Sequence, residues 1–413
     1  MYDQTFPHYV GIDIGTSKVR CVIGMPDQNN PDQLSIIGYG GANNTGMRKG
    51  NVVYVDEVAE SIVQAVTEAE KIAGIRVQSA TINVNGAHVE SLNSRGVIAI
   101  SAANREITDE DRWRVEEAAT IVQLPPNREI VQVFTKNYRL DGQENLKDPV
   151  GMQGVRLEAE THIVTASTPA LKNLNAALDK AQVVPNHHAL SSLAASEAVL
   201  NRQQKEAGTV VLDIGAGTTN IAVIEDGEVQ HVAVLPIGGI HITNDLAIGL
   251  KTDLDIAEKV KLEYARLSNG DKVNSGKIKL EISKKILTFS YEDIFMITEA
   301  RVDELLDYVE KELRKIQRSR KLPGGVVLTG GTSKLPGIAD FTREKLQLPA
   351  RVGQLRPIGG LAEKVKDPEA FTAVGLMMLD MLLLPIDGVG GVVGKTNTKI
   401  LKSITRYLPR IRK

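Results

Sequence analysis

Two apolar segments of the chain share one pattern. In residues 10–24 an apolar run is broken only by a short turn of glycine and hydroxyl-bearing residues, which predicts a β-hairpin. Residues 210–224 repeat the pattern about 200 positions later, again with Asp-Ile-Gly before the turn. A hairpin that occurs twice predicts a duplicated architecture of two related halves that face each other.

Elsewhere, apolar residues recur mainly at helical spacing. Val58, Ile62, Val66, Ala69 and Ile72 predict an amphipathic helix over residues 55–73. Further helices are predicted after a Thr-x-x-Asp capping box at residue 108 and over residues 169–181, 185–198, 240–250, 255–267 and 294–318, and strands over 79–84, 96–100, 130–140, 158–166 and 325–329. The apolar segment 374–386 is shorter than the roughly 20 residues needed to span a bilayer, which predicts a buried helix.

Length and composition then limit the class of protein. A chain of 413 residues is long enough for two or three domains. With 49 basic and 51 acidic residues and 42% hydrophobic residues, it is neither a disordered polyampholyte nor a globally basic nucleic-acid binder, so no nucleic-acid partner is expected. The single cysteine, the lack of a His/Cys metal pattern and an N-terminus without signal-peptide features favour a reducing cytoplasm.

The turns of the two hairpins are candidate phosphate-binding elements. Backbone amides and short hydroxyls beside a lysine stabilise concentrated negative charge, as a β- or γ-phosphate requires. Asp13 and Asp213 precede the turns at matched places and could hold a hydrated Mg²⁺ against the phosphates, which makes them metal ligands through water and candidate catalytic residues. The other candidate residues are Gly15, Thr16, Ser17 and Lys18 in the first turn and Gly215, Gly217, Thr218 and Thr219 in the second. One such hairpin alone would be an ordinary β-turn.

A third element follows in residues 326–338, where an apolar strand runs into Gly330, Gly331 and Thr332. The missing Cβ atoms allow a base or an α-phosphate to approach the backbone closely. Together, the three elements resemble the nucleotide site of the actin superfamily, which implies a two-lobed α/β fold around ATP and Mg²⁺. Glu258 and Lys261 match that superfamily's Glu-x-x-Lys helix for ribose and base contacts, although an exposed charged helix face has the same spacing.

Within the superfamily, the chain resembles the FtsA family over about residues 8–385. The resemblance is carried by residues 46–50, 84–100 and 148–157, outside the nucleotide elements. It implies an inserted subdomain, called 1C, in a displaced position. The implied subdomains are 1A (1–82, 159–190 and 366–386), 1C (83–158), 2A (191–239 and 306–365) and 2B (240–305), followed by a linker (387–397) and a membrane-targeting helix (398–413).

The FtsA resemblance also implies a function. Such a protein would polymerise into an actin-like filament on the cytoplasmic face of the cell membrane, at the division septum, and tether the C-terminal tail of FtsZ. The tail would dock on residues 240–305, where the candidate contacts are Lys284, Lys285 and Arg301. Subdomain 1C could bind other division proteins. A pilus-assembly protein of the same fold, expected to lack an amphipathic tail, and a small-molecule kinase, which would need a catalytic carboxylate, remain alternatives.

Turnover of ATP is less firmly indicated than binding. Within residues 185–198, neither Gln nor Glu stands at the position where actin or DnaK-type proteins orient the attacking water. His187 and Ser191 are candidates by position only. Without a well-placed polar group, hydrolysis should be slow at most.

The C-terminal residues differ from the rest of the chain. Residues 388–413 contain seven basic and no acidic residues, which leaves a net charge of about −9 on the rest, and glycines before the segment predict a flexible linker. On a helix, apolar and basic residues take opposite sides, which is typical of an interfacial helix on anionic lipid, although a packed terminal helix or a solvated basic tail is possible and Pro409 could end the helix early. The candidate membrane residues are Ile400, Leu401, Ile404, Leu408 and Ile411, with Lys399, Lys402 and Arg406.

Overall fold

The computed structural model describes residues 7–27, 34–101, 104–267, 276–282 and 285–383. The predicted linker 387–397, the predicted membrane helix 398–413 and the candidate Lys284 lie outside these residues.

The described residues form strands and helices in mixed order. The strands are β1 (Tyr9–Ile14), β2 (Lys18–Pro26), β3 (Leu34–Asn43), β4 (Met47–Arg48), β5 (Asn51–Val52), β6 (Ser79–Val84), β7 (Glu90–Ala99), β8 (Arg128–Leu140), β9 (Gln143–Leu146), β10 (Arg156–Ser167), β11 (Val184–Leu190), β12 (Thr209–Ile214), β13 (Thr219–Glu225), β14 (Glu228–Leu235), β15 (Lys277–Ile282), β16 (Lys285–Ser290), β17 (Gly325–Thr329), β18 (Ala350–Val352) and β19 (Gly359–Gly360). The helices are α1 (Val55–Ala73), α2 (Asp109–Thr120), α3 (Thr168–Lys180), α4 (Ser191–Val199), α5 (Arg202–Ala207), α6 (Gly239–Gly249), α7 (Leu254–Tyr264), α8 (Tyr291–Lys315), α9 (Ile338–Leu346) and α10 (Phe371–Leu383).

Two large sheets repeat one topology. The first has the order β11-β6-β1-β2-β3-β19, and the second has the order β14-β13-β12-β17-β18. In each, a central strand (β1 or β12) pairs antiparallel with the next strand of the chain and parallel with a strand that follows a long connection. The duplication predicted from the two hairpins therefore extends to both sheets.

A pair of buried helices lies between these sheets. Helix α10 packs on β1 and on α4, and α4 contacts β12 and β13 of the second sheet. The helices approach so closely that a Cβ on Gly375 would lie 1.7 Å from the carbonyl oxygen of Ala194. The predicted buried helix 374–386 is thus present as α10, which begins three residues earlier, where Phe371 and Thr372 are also buried; residues 384–386 of the prediction lie outside the described residues.

A four-stranded sheet, β7-β10-β8-β9, is inserted between β6 and β11 of the first sheet and carries α2 on one face. The predicted capping box is present, since Asp111 N donates to Thr108 Oγ1 at 3.2 Å and Thr108 N donates to Asp111 Oδ2 at 3.1 Å. Strands β7, β8 and β10 contact β14, the edge of the second large sheet. The insertion therefore touches both halves of the molecule.

One predicted helix is wrong in its first half. Residues 185–190 belong to strand β11, which pairs in parallel with β6, and α4 begins only at Ser191. Because β11 is at the edge of its sheet, Pro185 needs no hydrogen-bond partner on the far side and is tolerated there. The other predicted helices and strands agree with the structure to within a few residues, apart from β7, which begins at Glu90 rather than at residue 96.

Candidate nucleotide-binding site

The two hairpin turns have the same backbone geometry. In the first, Ile14 pairs with Val19 and the Gly15 amide donates to the Lys18 carbonyl oxygen at 3.0 Å. In the second, Ile214 pairs with Thr219 and the Gly215 amide donates to the Thr218 carbonyl oxygen at 2.9 Å. Each turn thus presents a short loop at the end of the central strand of its sheet.

The turns meet across the space between the two large sheets. A Cβ on Gly217 would lie 2.8 Å from Thr16 Oγ1, so only glycine allows the second turn to approach the first this closely. Thr218 Oγ1 also donates to Asn85 Oδ1 at 3.2 Å, which joins the second turn to the loop after β6. The two halves therefore build one cleft.

This cleft holds a cavity of about 490 Å³. Most of the candidate nucleotide residues line it: Asp13, Gly15, Thr16, Ser17, Lys18, Asp213, Gly215, Thr218, Glu258, Lys261, Gly330, Gly331 and Thr332. Gly217 and Thr219 do not. The Thr219 side chain is buried and its hydroxyl donates to the Ile237 carbonyl oxygen at 2.8 Å, which gives it a structural role.

Asp13 is buried at the floor of the cleft. Asn83 Nδ2 donates to Asp13 Oδ1 at 2.8 Å and to Ser191 Oγ at 3.1 Å, while the Ile14 amide donates to Asn83 Oδ1 at 2.7 Å. Burial raises the pKa of Asp13 to about 7; the Arg20 guanidinium acts in the opposite direction and the Asp213 carboxylate adds to the rise.

Asp213 is the counterpart of Asp13 in the second sheet. It pairs across its hairpin with Asn220, just as Asp13 pairs with Arg20, and Asn220 Nδ2 donates to Asp213 Oδ2 at 3.3 Å. Burial raises its pKa to about 6, against the hydrogen bonds from Asn220 and Thr372 and the charge of Arg20. Two buried carboxylates that resist ionisation are the donor set that a hydrated divalent cation would stabilise.

The Gly330-Gly331 loop forms a further wall. Gly330 has φ of 81°, and a Cβ there would lie 2.5 Å from the Ile214 carbonyl oxygen and 2.6 Å from Asp213 Oδ1. Thr332 Oγ1 donates to the Gly215 carbonyl oxygen at 3.1 Å, which fixes the loop to the second turn. Both the backbone conformation and the close approach require glycine at residue 330.

Glu258 and Lys261 face the cavity from α7. Lys261 Nζ lies 2.7 Å from Glu258 Oε2 and also donates to Thr243 Oγ1 at 2.9 Å and to the Gly239 carbonyl oxygen at 3.3 Å. Both side chains line the cavity, and their contact with a ribose or base stays a prediction.

The comparisons with known proteins agree on one protein family. The model for "Cell division protein FtsA" matches residues 210–375, and that for "SHS2 domain inserted in FTSA" matches residues 86–165. Cell division protein FtsA of Pseudomonas aeruginosa is 36% identical, with 97% of both chains covered, and that of Escherichia coli is 31% identical, with 89% of both chains covered. The chain belongs to the FtsA family.

Solved structures resemble this FtsA-family chain in fold. A PilM–PilN type IV pilus biogenesis complex has a TM-score of 0.61 at 18% identity, covering 90% of this chain and 98% of the other. MreB5 of Spiroplasma citri bound to ADP has a TM-score of 0.52 at 14% identity, covering 92% and 97%. A MamK double helical filament has a TM-score of 0.53 at 15% identity, covering 92% and 99%. The predicted α/β actin-like fold and family are confirmed.

None of the described helices could span a membrane, given their length and hydropathy.

Several further residues of the site in this FtsA-family chain are not among those that the sequence predicts: Arg20, Lys334, Glu369 and Thr372 line the cavity, and Asn83 hydrogen-bonds Asp13. Arg20 follows Lys18 at strand spacing, so the alternation along β2 could have indicated it. Glu369 gives no such signal, because its ion-pair partner Arg20 lies 349 positions away.

Of the two residues considered for orienting the attacking water, His187 and Ser191, only one lines the cavity. Ser191 lines the cavity at the start of α4. His187 lies on β11 and is not among the cavity residues; its charge interaction is with Asp380.

The candidate partner residue Arg301 is already engaged. Its Nη2 donates to Asp245 Oδ1 at 2.9 Å, its Nε pairs with the other oxygen of Asp245, and its Nη1 contacts Glu304. The Asp245 hydrogen bond leads the interactions that raise the pKa of Arg301. A peptide carboxylate at this guanidinium would therefore have to displace Asp245. Lys285 is the first residue of β16.

Proposed function

We propose that this FtsA-family chain binds Mg·ATP in the cleft, assembles into an actin-like filament and tethers the C-terminal tail of FtsZ to the cytoplasmic face of the cell membrane at the division septum. The observation that carries the proposal is the meeting of two matched turns and two buried aspartates around a single cavity of about 490 Å³. The fold relative MreB5, which was solved bound to ADP, supports a nucleotide in the cleft.

The residues of the cleft fit the charge of the nucleotide. The amides of Thr16 and Ser17 with the Lys18 ammonium would hold the β- and γ-phosphates, whereas the Gly15 amide closes the turn by donating to the Lys18 carbonyl oxygen. Asp13 and Asp213 would hold the hydrated Mg²⁺, which when bound neutralises phosphate charge. The Gly330-Gly331 loop would contact the α-phosphate or base, and Glu258 with Lys261 would contact the ribose and base.

The cleft supports binding more strongly than turnover. Asn83 holds both Asp13 and Ser191, so a hydroxyl is fixed near the floor of the cavity. A hydroxyl is a weak base compared with a carboxylate or an imidazole. We therefore expect slow hydrolysis at most.

Calorimetry with Mg·ATP tests the nucleotide site. Lys18→Ala and Asp213→Ala should each weaken binding by roughly tenfold or more, since each removes a charge from the phosphate or the metal. Lys71→Ala, at an exposed position in the last turn of α1, is the matched control and should bind like the parent. Unchanged affinity in both Lys18→Ala and Asp213→Ala would remove the site assignment.

Membrane attachment and FtsZ binding extend the proposal beyond the cleft. The segment 398–413 combines an apolar side with basic residues, a composition suited to anionic lipid. Residues 240–305 would take the FtsZ tail, and the inserted sheet would be available to other division proteins.

A further inference from the structure

A single carboxylate in the cleft holds three cations. Glu369 lies in a short turn, Pro368–Ala370, just before α10, and lines the cavity. The buried Arg20 guanidinium contacts Glu369 Oε2 closely, Lys18 Nζ lies 3.8 Å from the same oxygen, and Lys334 Nζ lies 3.7 Å from Glu369 Oε1. Two of the three cations, Lys18 and Lys334, are thus shared between an internal carboxylate and whatever anion enters the cavity.

The turn that carries Glu369 is fixed against the second half of the molecule. The Gly330 amide donates to the Pro368 carbonyl oxygen at 3.1 Å, and Thr372 Oγ1 donates to Asp213 Oδ2 at 3.5 Å. The backbone that carries Glu369 is therefore held to the glycine loop and, through Thr372, to Asp213.

The carboxylate is ionised at neutral pH. Burial would raise the pKa of Glu369, but Arg20, Lys18 and Lys334 outweigh burial and hold the pKa below its ordinary value. A fixed negative charge thus stands beside the cations that would receive the phosphates.

We propose that Glu369 competes with the nucleotide phosphates for Lys18 and Lys334, and so weakens binding most for the nucleotide with the most phosphate charge. The proposal rests on nucleotide binding in the cleft. Repulsion between Glu369 and the ligand grows with the charge of the ligand, as does the attraction that the two lysines divert to Glu369. Glu369 is a specificity-determining residue that limits the preference for ATP over ADP and AMP.

If Glu369 had a purely structural role, removing its charge would change nucleotide affinity in the opposite direction. Lys18 and Lys334 have about half of their side-chain surface exposed and lie beyond 3.5 Å from Glu369, so their attraction to it is one of charge rather than a short hydrogen bond. If Glu369 served mainly to position them, its removal would weaken nucleotide binding. The two roles therefore differ in the sign of the change.

Calorimetric affinities for AMP, ADP and ATP, each with Mg²⁺, test the proposal in the full chain. Glu369→Gln, which keeps the shape and removes the charge, should tighten ATP binding by roughly three- to tenfold, with a smaller gain for ADP and the smallest for AMP. The gain should shrink at high salt, because the lysines are partly exposed. Asp367→Asn is the matched control: Asp367 lies two residues away and its carboxylate is 4.0 Å from Lys334 Nζ, so the substitution should give a small change.

The outcomes separate the two proposals. If the parent binds ATP but Glu369→Gln binds it equally or more weakly, or gains equally for all three nucleotides, the competition is overturned and nucleotide binding stands. If neither parent nor variant binds a nucleotide, both proposals fail. In the Glu369→Gln variant the guanidinium of Arg20 still has the Asp13 carboxylate as a charged neighbour. Should Glu369→Gln fold poorly by thermal melting, Glu369→Met removes the same charge and carries the same expectation.

Discussion

At the scale of single residues, Gly330 shows how one missing side chain shapes the cleft. Its backbone has φ of 81°, and a Cβ would meet both the backbone of Ile214 and the carboxylate of Asp213. Gly330→Ala should therefore destabilise the fold by about 1–3 kcal/mol and displace Asp213, with at least a tenfold loss of Mg·ATP affinity. Urea unfolding and calorimetry measure the two effects.

Gly227 provides the matched control for this substitution. It has φ of 80°, but a Cβ there would meet nothing within 4 Å. Gly227→Ala therefore carries the cost of a positive φ without the clash. If Gly330→Ala and Gly227→Ala lose similar stability and both bind nucleotide like the parent, the close packing at Gly330 does not matter to the site.

The sequence indicated those residues of the site that lie within a local pattern. Lys18 and Asp213 belong to hairpins whose turn chemistry is visible in a few consecutive residues. Glu369 lines the same cavity and Asn83 hydrogen-bonds Asp13, but both come from segments that are distant in sequence and that only the folded sheets bring together. Local sequence patterns therefore predict the type of chemistry. The residues that pair with or hydrogen-bond the predicted side chains are brought to the site by the fold and are not visible in a local pattern.

At the scale of elements, the contact between the inserted sheet and strand β14 depends on a buried histidine. The Val232 amide of β14 donates to His162 Nε2 at 3.1 Å, so the ring proton is on Nδ1, which donates to Asn93 Oδ1 at 2.7 Å. Ser91 Oγ donates to the Val232 carbonyl oxygen at 2.8 Å. The insertion thereby satisfies backbone groups on an edge strand that would otherwise be open to pairing.

Protonation of His162 would break this contact. Burial lowers its pKa to about 3, with contributions from the neighbouring His231 and Lys136, and His231 in turn bonds Glu312 at 3.0 Å. Because the folded pKa lies below the ordinary value of 6.5, the stabilisation is complete above pH 6.5 and is lost as the pH falls toward 3, at about 1.4 kcal/mol per pH unit.

Urea unfolding at pH 7.5 and pH 5.5 measures this linkage. The parent should lose more stability than His162→Gln over this interval, by roughly 1 kcal/mol, since glutamine can accept the Val232 hydrogen bond without titrating. Other groups titrate in both proteins, so the difference between them isolates His162. Parallel pH dependence in the two would show that His162 does not titrate on unfolding.

Secondary-structure elements are predictable where the residues of one segment alone determine the element. Helix α1 has the predicted bounds, because its apolar stripe and its C-terminal glycine lie within one segment. For strand β11 the local sequence predicts a helix instead, because the strand forms by pairing with β6, about a hundred residues earlier in the chain. The β15–β16 pair is absent from the predicted elements, although residues 277–282 alternate polar and apolar side chains as a half-buried strand does.

The proposed membrane segment is tested by moving charge around its helix. Ile404→Glu with Leu408→Glu places two carboxylates on the apolar side and should reduce co-flotation with anionic vesicles by at least tenfold, since each replaces about 1.5–3 kcal/mol of apolar burial. Ser403→Glu with Thr405→Glu adds the same charge outside the apolar side and should retain more binding. Equal flotation of the parent and the first variant would exclude this segment as the anchor.

At the scale of the whole molecule, charge is divided between two parts. The first 387 residues carry a net charge of about −9, whereas the C-terminal residues are basic, so an anionic surface would attract the tail and repel the body. Such a division suits a protein held at a membrane by one end, with its cleft and its remaining surfaces free for nucleotide and partners.

The α6–α8 region contains an internal ion pair where an acidic peptide is proposed to dock. Asp245 on α6 accepts two hydrogen bonds from the Nε–Nη2 edge of Arg301 on α8, and Glu304 contacts Nη1 from the next turn. Arg301→Glu would therefore place three acidic groups together and disturb the helices as well as the docking. Neutral substitutions separate these effects better.

Fluorescence anisotropy of a labelled FtsZ tail peptide tests the docking with such variants. Arg301→Gln should weaken peptide binding by roughly three- to tenfold, because it removes a bidentate carboxylate partner. Asp245→Asn should strengthen it by a similar factor, because it frees the same guanidinium from its internal competitor. Both should leave Mg·ATP affinity unchanged, since neither residue lines the cavity. If the peptide binds the parent and both variants equally, the docking surface lies away from Arg301.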